Sequence, residues 1–398
     1  MTIEYYNLKG VKPTKGYPVS HKRKVPFAPN LEVPSNYFQR TRRIKELDFE
    51  LDRFILTAED YQNIVVEAYS SNVHWSTRVE GNPLSEAEVR RITRNTFTQG
   101  PEEKPSGPRQ EIINHLTHLL SPGIFTLPWT HSHIQTIHDY LLDGTGAKFD
   151  EFAYRASRTS VYDSKGMEVL KPCPPEHISD EMSSLLDWVN GPAIALDSIV
   201  RATVFFHEFE SIHPFDDGNG RTGRCLFHLL LQNSDLPNSH LCKIDTQLLK
   251  DSETYYQILA YTDESGSYGK LIDLVSGAIL RSYEDAQKAL LEKDLLSSDL
   301  DEVTRRLLKM AKRHDEWFSI NDAVEWVSKV GSYTVNKKLN RLTKMGALQM
   351  RGNTRSRRYK IQNPLEDVRA AITKERGHLI STTRKLTSTE TKKKSPDN

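Results

Sequence analysis

The chain has 398 residues, more than a single hydrophobic core usually organises, so two or three domains are expected. Its 54 basic and 53 acidic residues leave a formal charge of +1, which excludes a protein that binds nucleic acid through its overall charge. Three widely spaced cysteines suit neither a disulfide framework nor a cysteine-rich zinc site, and no apolar run could span a bilayer. We therefore expect a soluble, cytoplasmic protein that does not contact a membrane.

Residues 1–40 are predicted to form an extended arm, and residues 41–296 a mainly α-helical domain. Prolines at positions 13, 18, 26, 29 and 34 prevent a long helix in the arm. From Thr41 onwards, apolar residues recur at intervals of three and four, as in helices that bury one face. Helices are predicted from Thr41, at 61–81, and at 86–97, 110–119, 130–142, 181–189, 199–210, 222–232 and 253–261.

A stretch rich in β-forming residues interrupts this helical pattern between positions 154 and 175. Val161 and Tyr162 precede a Ser-Lys-Gly turn, and a second apolar run follows at 167–170. This order predicts a single small β-hairpin, with an ordinary surface connection as the alternative interpretation.

After a polar, acidic linker at 297–301, residues 302–365 are predicted to fold as a winged helix-turn-helix domain. Apolar patterns predict three helices, near 307–310, at 320–330 and at 333–345, and two strands at 347–350 and 358–361. The basic residues of the third helix and the hairpin are Lys337, Lys338, Arg341, Lys344, Arg351, Arg355, Arg357 and Arg358. Such a helix and wing suit DNA, although winged helices also serve as docking or dimerisation modules. The Ser-, Thr- and Lys-rich tail, 375–398, is expected to be disordered.

The segment with the clearest chemistry is 213–224, HPFDDGNGRTGR. Gly218 and Gly220 let the backbone approach a ligand closely and let successive N–H groups converge on an anion. The apolar run that follows predicts a helix, whose N-terminus also favours negative charge. A phosphate is therefore the expected ligand of this loop.

Charged side chains in the same loop favour that interpretation. Arg221 and Arg224 lie in the predicted first turn, where the helix dipole disfavours cations unless an anion compensates. Asp217 would repel the anion unless a divalent cation lay between them, and Mg²⁺ is usually held in this way beside phosphates. A nucleotide with magnesium explains this mixture of charges.

Two other kinds of site are excluded by their context. The glycines match G-x-G-x-x-G, but no buried strand precedes them, as a dinucleotide-binding site requires. His207 and His213 are six residues apart, so they do not share the helix face that a zinc protease needs. A plain capped helix after a glycine turn would leave Asp217 and the two arginines unexplained.

Residues 213–224 match the H-P-F-x-(D/E)-G-N-G-R-x-x-R signature at every position, so the chain resembles the Fic family. The resemblance implies a mostly helical domain that binds ATP and Mg²⁺. The roles that it implies fall on His213 as general base, on Asp217 as the ligand of Mg²⁺, and, for the phosphates of ATP, on Gly218, Asn219, Gly220, Arg221 and Arg224.

The chemistry of these residues agrees with the resemblance. A neutral imidazole near its usual pKa takes a proton from a Ser, Thr or Tyr hydroxyl as that oxygen attacks phosphorus. Positioned donors and Mg²⁺ stabilise the charge that develops on the phosphate oxygens. Pyrophosphate leaves, and AMP stays on the hydroxyl.

Upstream, Ser76 and Glu80 are four apart near the end of the predicted helix 61–81, which places both on one helix face. Gly81 and Asn82 are typical of a C-terminal stop. This segment resembles the inhibitory (S/T)-x-x-x-E-(G/N) motif of the Fic class in which that helix precedes the catalytic domain. The resemblance implies that Glu80 pairs with Arg224 and denies it to ATP, since one guanidinium fork binds a carboxylate or a phosphate but not both.

Two further segments resemble parts of the Fic domain. The predicted hairpin resembles the Fic flap, which pairs with a target segment by strand addition. Tyr255 and Tyr256 with Leu259, and Asp263 after them, resemble the adenine-binding stretch, where the family often has asparagine at the last position. Aromatic faces suit a purine, and burial in the core is the alternative role of the tyrosines.

Two functions are compatible with these observations. The first is a protein adenylyltransferase that transfers AMP from ATP to a hydroxyl of a target protein or of itself and is autoinhibited by Glu80. The second is a DNA-binding transcriptional regulator that uses the Fic domain as a nucleotide sensor. Removal of AMP by the same site stays open. Fic proteins of this class commonly dimerise, so a homodimer is expected.

Overall fold

The computed structural model describes residues 11–100, 105–122, 126–163, 166–295, 300–314, 316–353, 356–363, 365–366 and 368–369. The predicted disordered tail, 375–398, lies outside these residues, as do most of the predicted linker and Arg355 of the predicted basic wing. Within the described residues the chain is mainly helical and has few strands, which confirms the mainly α-helical class that the sequence predicts.

The helices are α1 (Tyr37–Leu51), α2 (Ala58–Arg78), α3 (Glu86–Gln99), α4 (Pro108–Leu120), α5 (His131–Leu142), α6 (Ile178–Asn190), α7 (Ser198–Ile212), α8 (Asn219–Gln232), α9 (Ile244–Leu249), α10 (Ser252–Ser265), α11 (Gly269–Lys293), α12 (Glu302–His314), α13 (Ile320–Trp326) and α14 (Ser332–Lys344). The strands are β1 (Val19–Ser20), β2 (Val161–Tyr162), β3 (Glu168–Lys171), β4 (Leu348–Arg351) and β5 (Arg358–Ile361). Every helix that the sequence predicts has a counterpart here.

Helix α2 is held in place by an N-terminal cap and by packing against neighbouring helices. Thr57 caps its N-terminus by accepting the amide of Asp60 at 3.0 Å, and the acidic first turn suits the helix dipole. One face is buried against α3, α4 and α9 through Val65, Val66, Tyr69 and Val73. Each such side chain contributes roughly 1.5–3 kcal/mol when fully buried. The C-terminal end of α2 is therefore a rigid support for the residues that follow.

Helices α7 and α8 pack on each other and are buried over most of their length. Asp197 caps α7 by accepting the amide of Ile199 at 3.1 Å. Because α7 ends at Ile212 and α8 begins at Asn219, residues 213–218 form the loop between two buried helices.

The predicted hairpin is present, but the N-terminal arm turns it into a three-stranded sheet. The strand order is β1-β3-β2, with β1 parallel and β2 antiparallel to β3. Val19 and Val161 both lie opposite Leu170. The sequence did not predict β1, because a two-residue strand in a proline-rich segment has no periodic signal. Strand β1 forms one edge of the sheet, and β2 forms the opposite edge.

Helix α9 and the 25-residue helix α11, which packs on α1, are not among the predicted helices. The turn between α10 and α11 contains Gly266 in a left-handed conformation, with φ 73°, and this turn separates the two helices. In the described part of the chain, no helix combines the length and the apolar character needed to cross a bilayer.

The C-terminal region forms three helices followed by an antiparallel pair of strands, β4 and β5, in register from Leu348 opposite Ile361 to Arg351 opposite Arg358. These elements share a separate buried cluster that includes Leu307, Phe318 and Leu339. Helix α13 is shorter than predicted and ends at Trp326. This order of elements fits a winged helix-turn-helix, and that assignment stays a prediction.

Candidate active site

His213 directly follows α7 and has a left-handed backbone conformation, with φ 53° and ψ 62°. This conformation is uncommon outside glycine, and it turns the chain out of the helix. The Nδ1 atom lies 3.3 Å from the carbonyl oxygen of Glu210, so it carries the proton and leaves Nε2 with a free lone pair. Burial lowers the pKa of His213 to about 4, which keeps the imidazole neutral at about pH 7. A neutral ring with a free nitrogen is the form that a general base needs.

Arg155 holds the turn at His213 in place. Its Nε donates to the carbonyl oxygen of His213 at 2.7 Å, and its backbone N–H donates to that of Pro214 at 2.9 Å. The same guanidinium reaches the carbonyl oxygens of Ser157 and Cys173. The loop after α7 is thereby tied to both segments that flank the β2–β3 hairpin.

Two residues shape the backbone between His213 and α8. The Asn219 side chain accepts the amide of Phe215 at 2.9 Å and donates to its carbonyl oxygen at 2.7 Å, so it closes the loop. Gly218 precedes α8 with φ 79°, a conformation that glycine adopts at little cost. The first turn of α8 leaves N–H groups without intrahelical partners at this end, which is the geometry that anion sites use.

Arg221 bridges two carboxylates. Its Nη2 lies 2.6 Å from Oδ1 of Asp217, and its Nη1 lies 2.9 Å from Oε1 of Glu111 in α4. The second oxygen of Glu111 accepts a hydrogen bond of 2.7 Å from Nδ2 of Asn82. One buried carboxylate thus connects the predicted phosphate loop with the turn that follows α2.

Arg224 is buried and is held by the end of α2. Its Nε donates to Oγ of Ser76 at 2.9 Å, and its Nη2 donates to the Ser76 carbonyl oxygen at 2.8 Å and to Oε1 of Glu80 at 2.6 Å. Burial opposes the charge, but the Glu80 carboxylate keeps the pKa of Arg224 above its usual value. The structure contains the ion pair that the family resemblance implies.

Glu80 reaches Arg224 from a turn and not, as predicted, from the face of a helix. Helix α2 ends at Arg78 instead of position 81, and the Glu80 amide bonds to the carbonyl oxygen of Thr77, three residues back. The chain tightens at this point, as it commonly does in the last turn of a helix. We call residues 79–82 the α2 turn.

The Glu80 carboxylate lies against the first turn of α8. A Cβ atom on Gly220 would collide with Oε1 of Glu80 and lie 2.9 Å from Nη1 of Arg224, so a larger residue here would displace the ends of these two side chains. The carboxylate therefore occupies a place at a helix N-terminus where the dipole favours a negative charge.

A small cleft opens beside His213, between the sheet and α10. Besides His213, its lining includes Val161, Val169, Leu170, Ser211, Tyr256 and Leu259. Tyr255, which was expected beside Tyr256, is only 3% exposed and is not among the lining residues. Consecutive side chains on a helix point about 100° apart, so α10 presents one of the two tyrosines to the cleft.

Asp263 also lines this cleft and is fixed by protein groups. Its Oδ1 accepts the hydroxyl of Ser211 at 2.6 Å and lies 3.6 Å from Nε2 of His207. Burial raises the pKa of Asp263. At least one carboxylate oxygen is therefore engaged within the protein, and a contact between Asp263 and a nucleotide base stays a prediction.

Glu210, which the sequence analysis did not single out, lies one turn before His213. Burial raises the pKa of its carboxyl to about 8, and Oε1 has no hydrogen-bond partner among the described residues. The carboxyl group lies against Gly223 of α8. At about pH 7 this group is mostly protonated and neutral.

The structure brings the residues of the 213–224 motif together with Ser76 of α2 and Glu80 of the α2 turn. Tyr256 faces the same region, whereas Tyr255 is buried. Sequence reasoning missed Glu111, and it did not predict the contacts that Asn82, named there only as part of a helix stop, and Arg155 make in the site. Glu111 and Arg221 are 110 positions apart, and Arg155 and His213 are 58 apart, so no local pattern links them.

Comparisons with known proteins agree with the family resemblance. The sequence model described as Fic/DOC family matches residues 128–231. Protein adenylyltransferase fic-1 of Caenorhabditis briggsae is 29% identical over 177 residues, which are 43% of this chain and 33% of that protein. Protein adenylyltransferase Fic of Nematostella vectensis is 29% identical over 185 residues, 44% of this chain and 40% of that one. The chain thus spans less than half the length of these curated relatives.

A solved structure supports the fold. The crystal structure of a Fic family protein from Desulfovibrio desulfuricans G20 has a TM-score of 0.56 and 20% sequence identity. The matched region covers 85% of this chain and 99% of the Desulfovibrio chain. At this identity the likeness concerns the fold alone. The family match and the named relatives show that this chain contains a Fic domain, and the solved structure agrees with them in fold.

Proposed function

We propose that the protein is an adenylyltransferase that transfers AMP from ATP to a Ser, Thr or Tyr hydroxyl of a target protein or of itself. The observation that carries the proposal is the neutral ring of His213, at the start of the short loop that leads into the N-terminus of α8. A base and an anion site lie side by side there, as transfer from a nucleotide requires. The named adenylyltransferase relatives support the same reaction class.

In this reaction the hydroxyl oxygen attacks the α-phosphorus of ATP while Nε2 of His213 takes the hydroxyl proton. An oxygen–phosphorus bond forms to the target, the bond from the α-phosphorus to the bridging oxygen breaks, and pyrophosphate leaves. The N–H groups at the start of α8 and the guanidinium of Arg221 stabilise charge on the phosphate oxygens. Arg224 does the same once it is free of Glu80.

Asp217 fits the magnesium ion that this reaction requires. Its side chain is 51% exposed, and its Oδ1 is engaged by Arg221 and by the amide of Gly218. Within the described residues, Oδ2 has no hydrogen-bond partner and is free to bind an ion. Magnesium usually binds one or two carboxylates together with waters and substrate phosphates. When bound, it would neutralise charge on the phosphate oxygens.

Glu80 acts as an inhibitor of this site in the proposal. Its carboxylate contacts Arg224 and fills the space above Gly220, so a phosphate group that needs the same guanidinium has to displace it. A hydrogen bond to a charged group contributes about 1.5–3 kcal/mol, which corresponds to roughly a tenfold to a hundredfold effect on a rate or affinity.

The variant Glu80→Gly tests both parts of the proposal. With ATP and Mg²⁺, we expect mass spectrometry to find an added AMP on the protein or a target, at a rate about tenfold or more above wild type. Glu59→Gly, an exposed glutamate at the other end of α2, is the matched control and should behave as wild type.

The double variant Glu80→Gly, His213→Ala should lose the transfer. If Glu80→Gly transfers no AMP, the adenylyltransferase proposal fails. If wild type and Glu80→Gly transfer AMP equally fast, only the inhibitory role of Glu80 fails.

DNA binding by the C-terminal region is a second proposed property. One face of α14 exposes Tyr333, Lys337, Arg341 and Lys344, and Tyr333 is 81% exposed. Lys338 is instead paired with Asp301 at 2.7 Å. A DNA duplex whose electrophoretic shift weakens with salt and is lost in Arg341→Ala would support the proposal. If no electrophoretic shift is seen at low salt, the DNA-binding proposal is wrong.

We also propose that the protein forms a homodimer, as the family resemblance implies. Light scattering on the full chain, as it elutes from a size-exclusion column, measures its mass directly. The mass of two chains supports the dimer, and the mass of one chain excludes it at the concentration tested.

A further inference from the structure

Three side chains that commonly bind transition metals meet where the N-terminal arm, the end of β3 and α6 come together. They are His21, Cys173 and Glu181, and their ligand atoms all lie within 4.8 Å of one another. The side chains of His21 and Glu181 are only 2% and 3% exposed, and Cys173 is 1% exposed. This cluster therefore differs from the groups of solvated acidic residues that are common on protein surfaces.

Hydrogen bonds fix which ring nitrogen of His21 faces the cluster. The Ser211 hydroxyl donates to Oδ1 of Asp263 at 2.6 Å, so the Ser211 oxygen accepts a hydrogen bond of 2.8 Å from Nδ1 of His21. Nδ1 thus carries a proton, so Nε2 is the ring nitrogen that can bind a metal. A metal-binding histidine is usually held in this way, with its other ring N–H in a relay that ends on a carboxylate.

The cluster is poorly satisfied by protein contacts alone. In the part of the chain that the structure describes, Nε2 of His21 is buried and has no hydrogen-bond partner, since its distance of 3.8 Å from Oε2 of Glu181 is too long for one. Among the described residues, the only hydrogen bond of the Cys173 thiol is to the Pro174 carbonyl oxygen, at 3.4 Å. A charged His21 paired with Glu181 would explain two of the three side chains, and the Cys173 thiol would then only pack in the core and donate to Pro174.

We propose that His21, Cys173 and Glu181 form a binding site for a zinc ion. Nitrogen, sulfur and carboxylate oxygen are the ligands that Zn²⁺ takes, in a tetrahedral arrangement. Binding displaces the thiol proton of Cys173 to solvent, because the thiolate is the ligand. The thiolate and the Glu181 carboxylate then balance the two charges of the ion. Three protein ligands leave a fourth position for a water molecule.

The neighbouring groups are compatible with this ion. The carboxylate of Glu181 accepts the Lys24 amide at 3.2 Å through each oxygen, which orients it and leaves lone pairs free. The Arg23 guanidinium lies 3.9 Å from Oε1 of Glu181, but its side chain is 52% exposed and has room to turn into solvent. The site joins the arm just after β1 to the residue just beyond β3. Its role is to hold the sheet beside the cleft, whose lining includes Ser211 and Asp263.

The full chain, purified without a histidine-containing tag, tests the site by its metal content. We expect about one zinc ion per chain in wild type and in the control Cys225→Ala, which removes a buried cysteine outside the cluster. Cys173→Ala should contain almost none. Zinc-free wild type, or zinc bound equally by Cys173→Ala, would overturn the proposal.

Cobalt substitution keeps the test valid if a variant folds poorly. Metal-free wild type titrated with Co²⁺ should develop the near-ultraviolet charge-transfer band of a cobalt–thiolate bond and the visible bands of a tetrahedral ion. Ser211→Ala, which removes the partner of the His21 ring, should weaken Co²⁺ binding about tenfold to a hundredfold. Absence of the thiolate band, or unchanged affinity in Ser211→Ala together with an unchanged spectrum in Cys173→Ala, would exclude these ligands.

Discussion

His213 is kept neutral by its surroundings and not by the pH of the solution. Burial opposes the imidazolium form, while the left-handed turn and the carbonyl oxygen of Glu210 fix the orientation of the ring. Arg155 adds a positive charge nearby, which also disfavours protonation. The base of the proposed reaction is therefore ready to accept a proton without first losing one.

The pH dependence of transfer by Glu80→Gly should report this state. We expect the rate to stay nearly constant from about pH 8 down to about pH 5 and to fall at lower pH, as His213 takes up a proton with its pKa of about 4. The substitution removes a carboxylate that favours the charged ring, so it should not raise this pKa.

The initial rate of AMP incorporation measures the profile. A half-maximal rate near the unperturbed histidine pKa of about 6.5 would show that the ring is not buried in the active form.

The α2 turn is attached to the α8 region at two points. Glu80 contacts Arg224, and two residues later Asn82 donates to Glu111, which in turn holds Arg221. Asn82 also donates to the Pro108 carbonyl oxygen at 3.0 Å and accepts the Leu84 amide at 3.0 Å. Both arginines of the motif are thus coupled to one short turn.

Asn82→Ala should loosen this turn and raise AMP transfer severalfold, by less than Glu80→Gly does. The substitution removes hydrogen bonds that contribute about 0.5–1.5 kcal/mol each, while Glu80 itself remains. In the Glu80→Gly background it should add no further activation, because the inhibitory carboxylate is already gone.

Asn95→Ala, an exposed asparagine in α3, is the matched control for the same assay. Wild-type activity in Asn82→Ala would show that the second attachment does not restrain Glu80.

The sequence predicts helices and the loop of the site well because their signals are local. The 213–224 motif places glycines, arginines and an acid within one turn and the start of one helix, and spacing alone predicts their proximity. The hydrogen bond between Asn219 and Phe215 and the ion pair between Glu111 and Arg221 depend on side-chain packing, which spacing in the sequence does not encode. Helix α11 does have a local signal, because Leu271, Ile272, Val275 and Ile279 recur at helical intervals.

At the scale of the whole molecule, Glu210 makes stability depend on pH. Its pKa is about 8 in the folded chain and about 4.5 in the unfolded chain, so the folded state holds a proton that the unfolded state loses. This contribution to stability is fully present below about pH 4.5 and is lost as pH rises to about 8. His213 has the opposite sign, but its effect ends at about pH 6.5, where its unfolded form becomes neutral.

Glu210→Gln should therefore separate the pH dependence that arises from Glu210 from the one that arises from His213, between about pH 6.5 and about pH 8. In that window, we expect the unfolding free energy of wild type to fall by about 1–2 kcal/mol relative to Glu210→Gln. Denaturant unfolding followed by far-ultraviolet circular dichroism at each pH provides the measurement.

Glu253→Gln, an exposed glutamate, is the matched control and should follow wild type. A constant difference between wild type and Glu210→Gln across the window would mean that Glu210 is already ionised in the folded protein.

The contact between Glu80 and Arg224 joins two parts of one polypeptide, so diluting the protein does not weaken it. The carboxylate has an effective concentration that is set by the rigid end of α2 and by the packing of α8, and no dissociating subunit is involved. A cell could therefore change the occupancy of this arginine by moving the α2 turn or by binding a ligand that prefers the open arrangement, whereas changing the amount of protein would leave it unaltered.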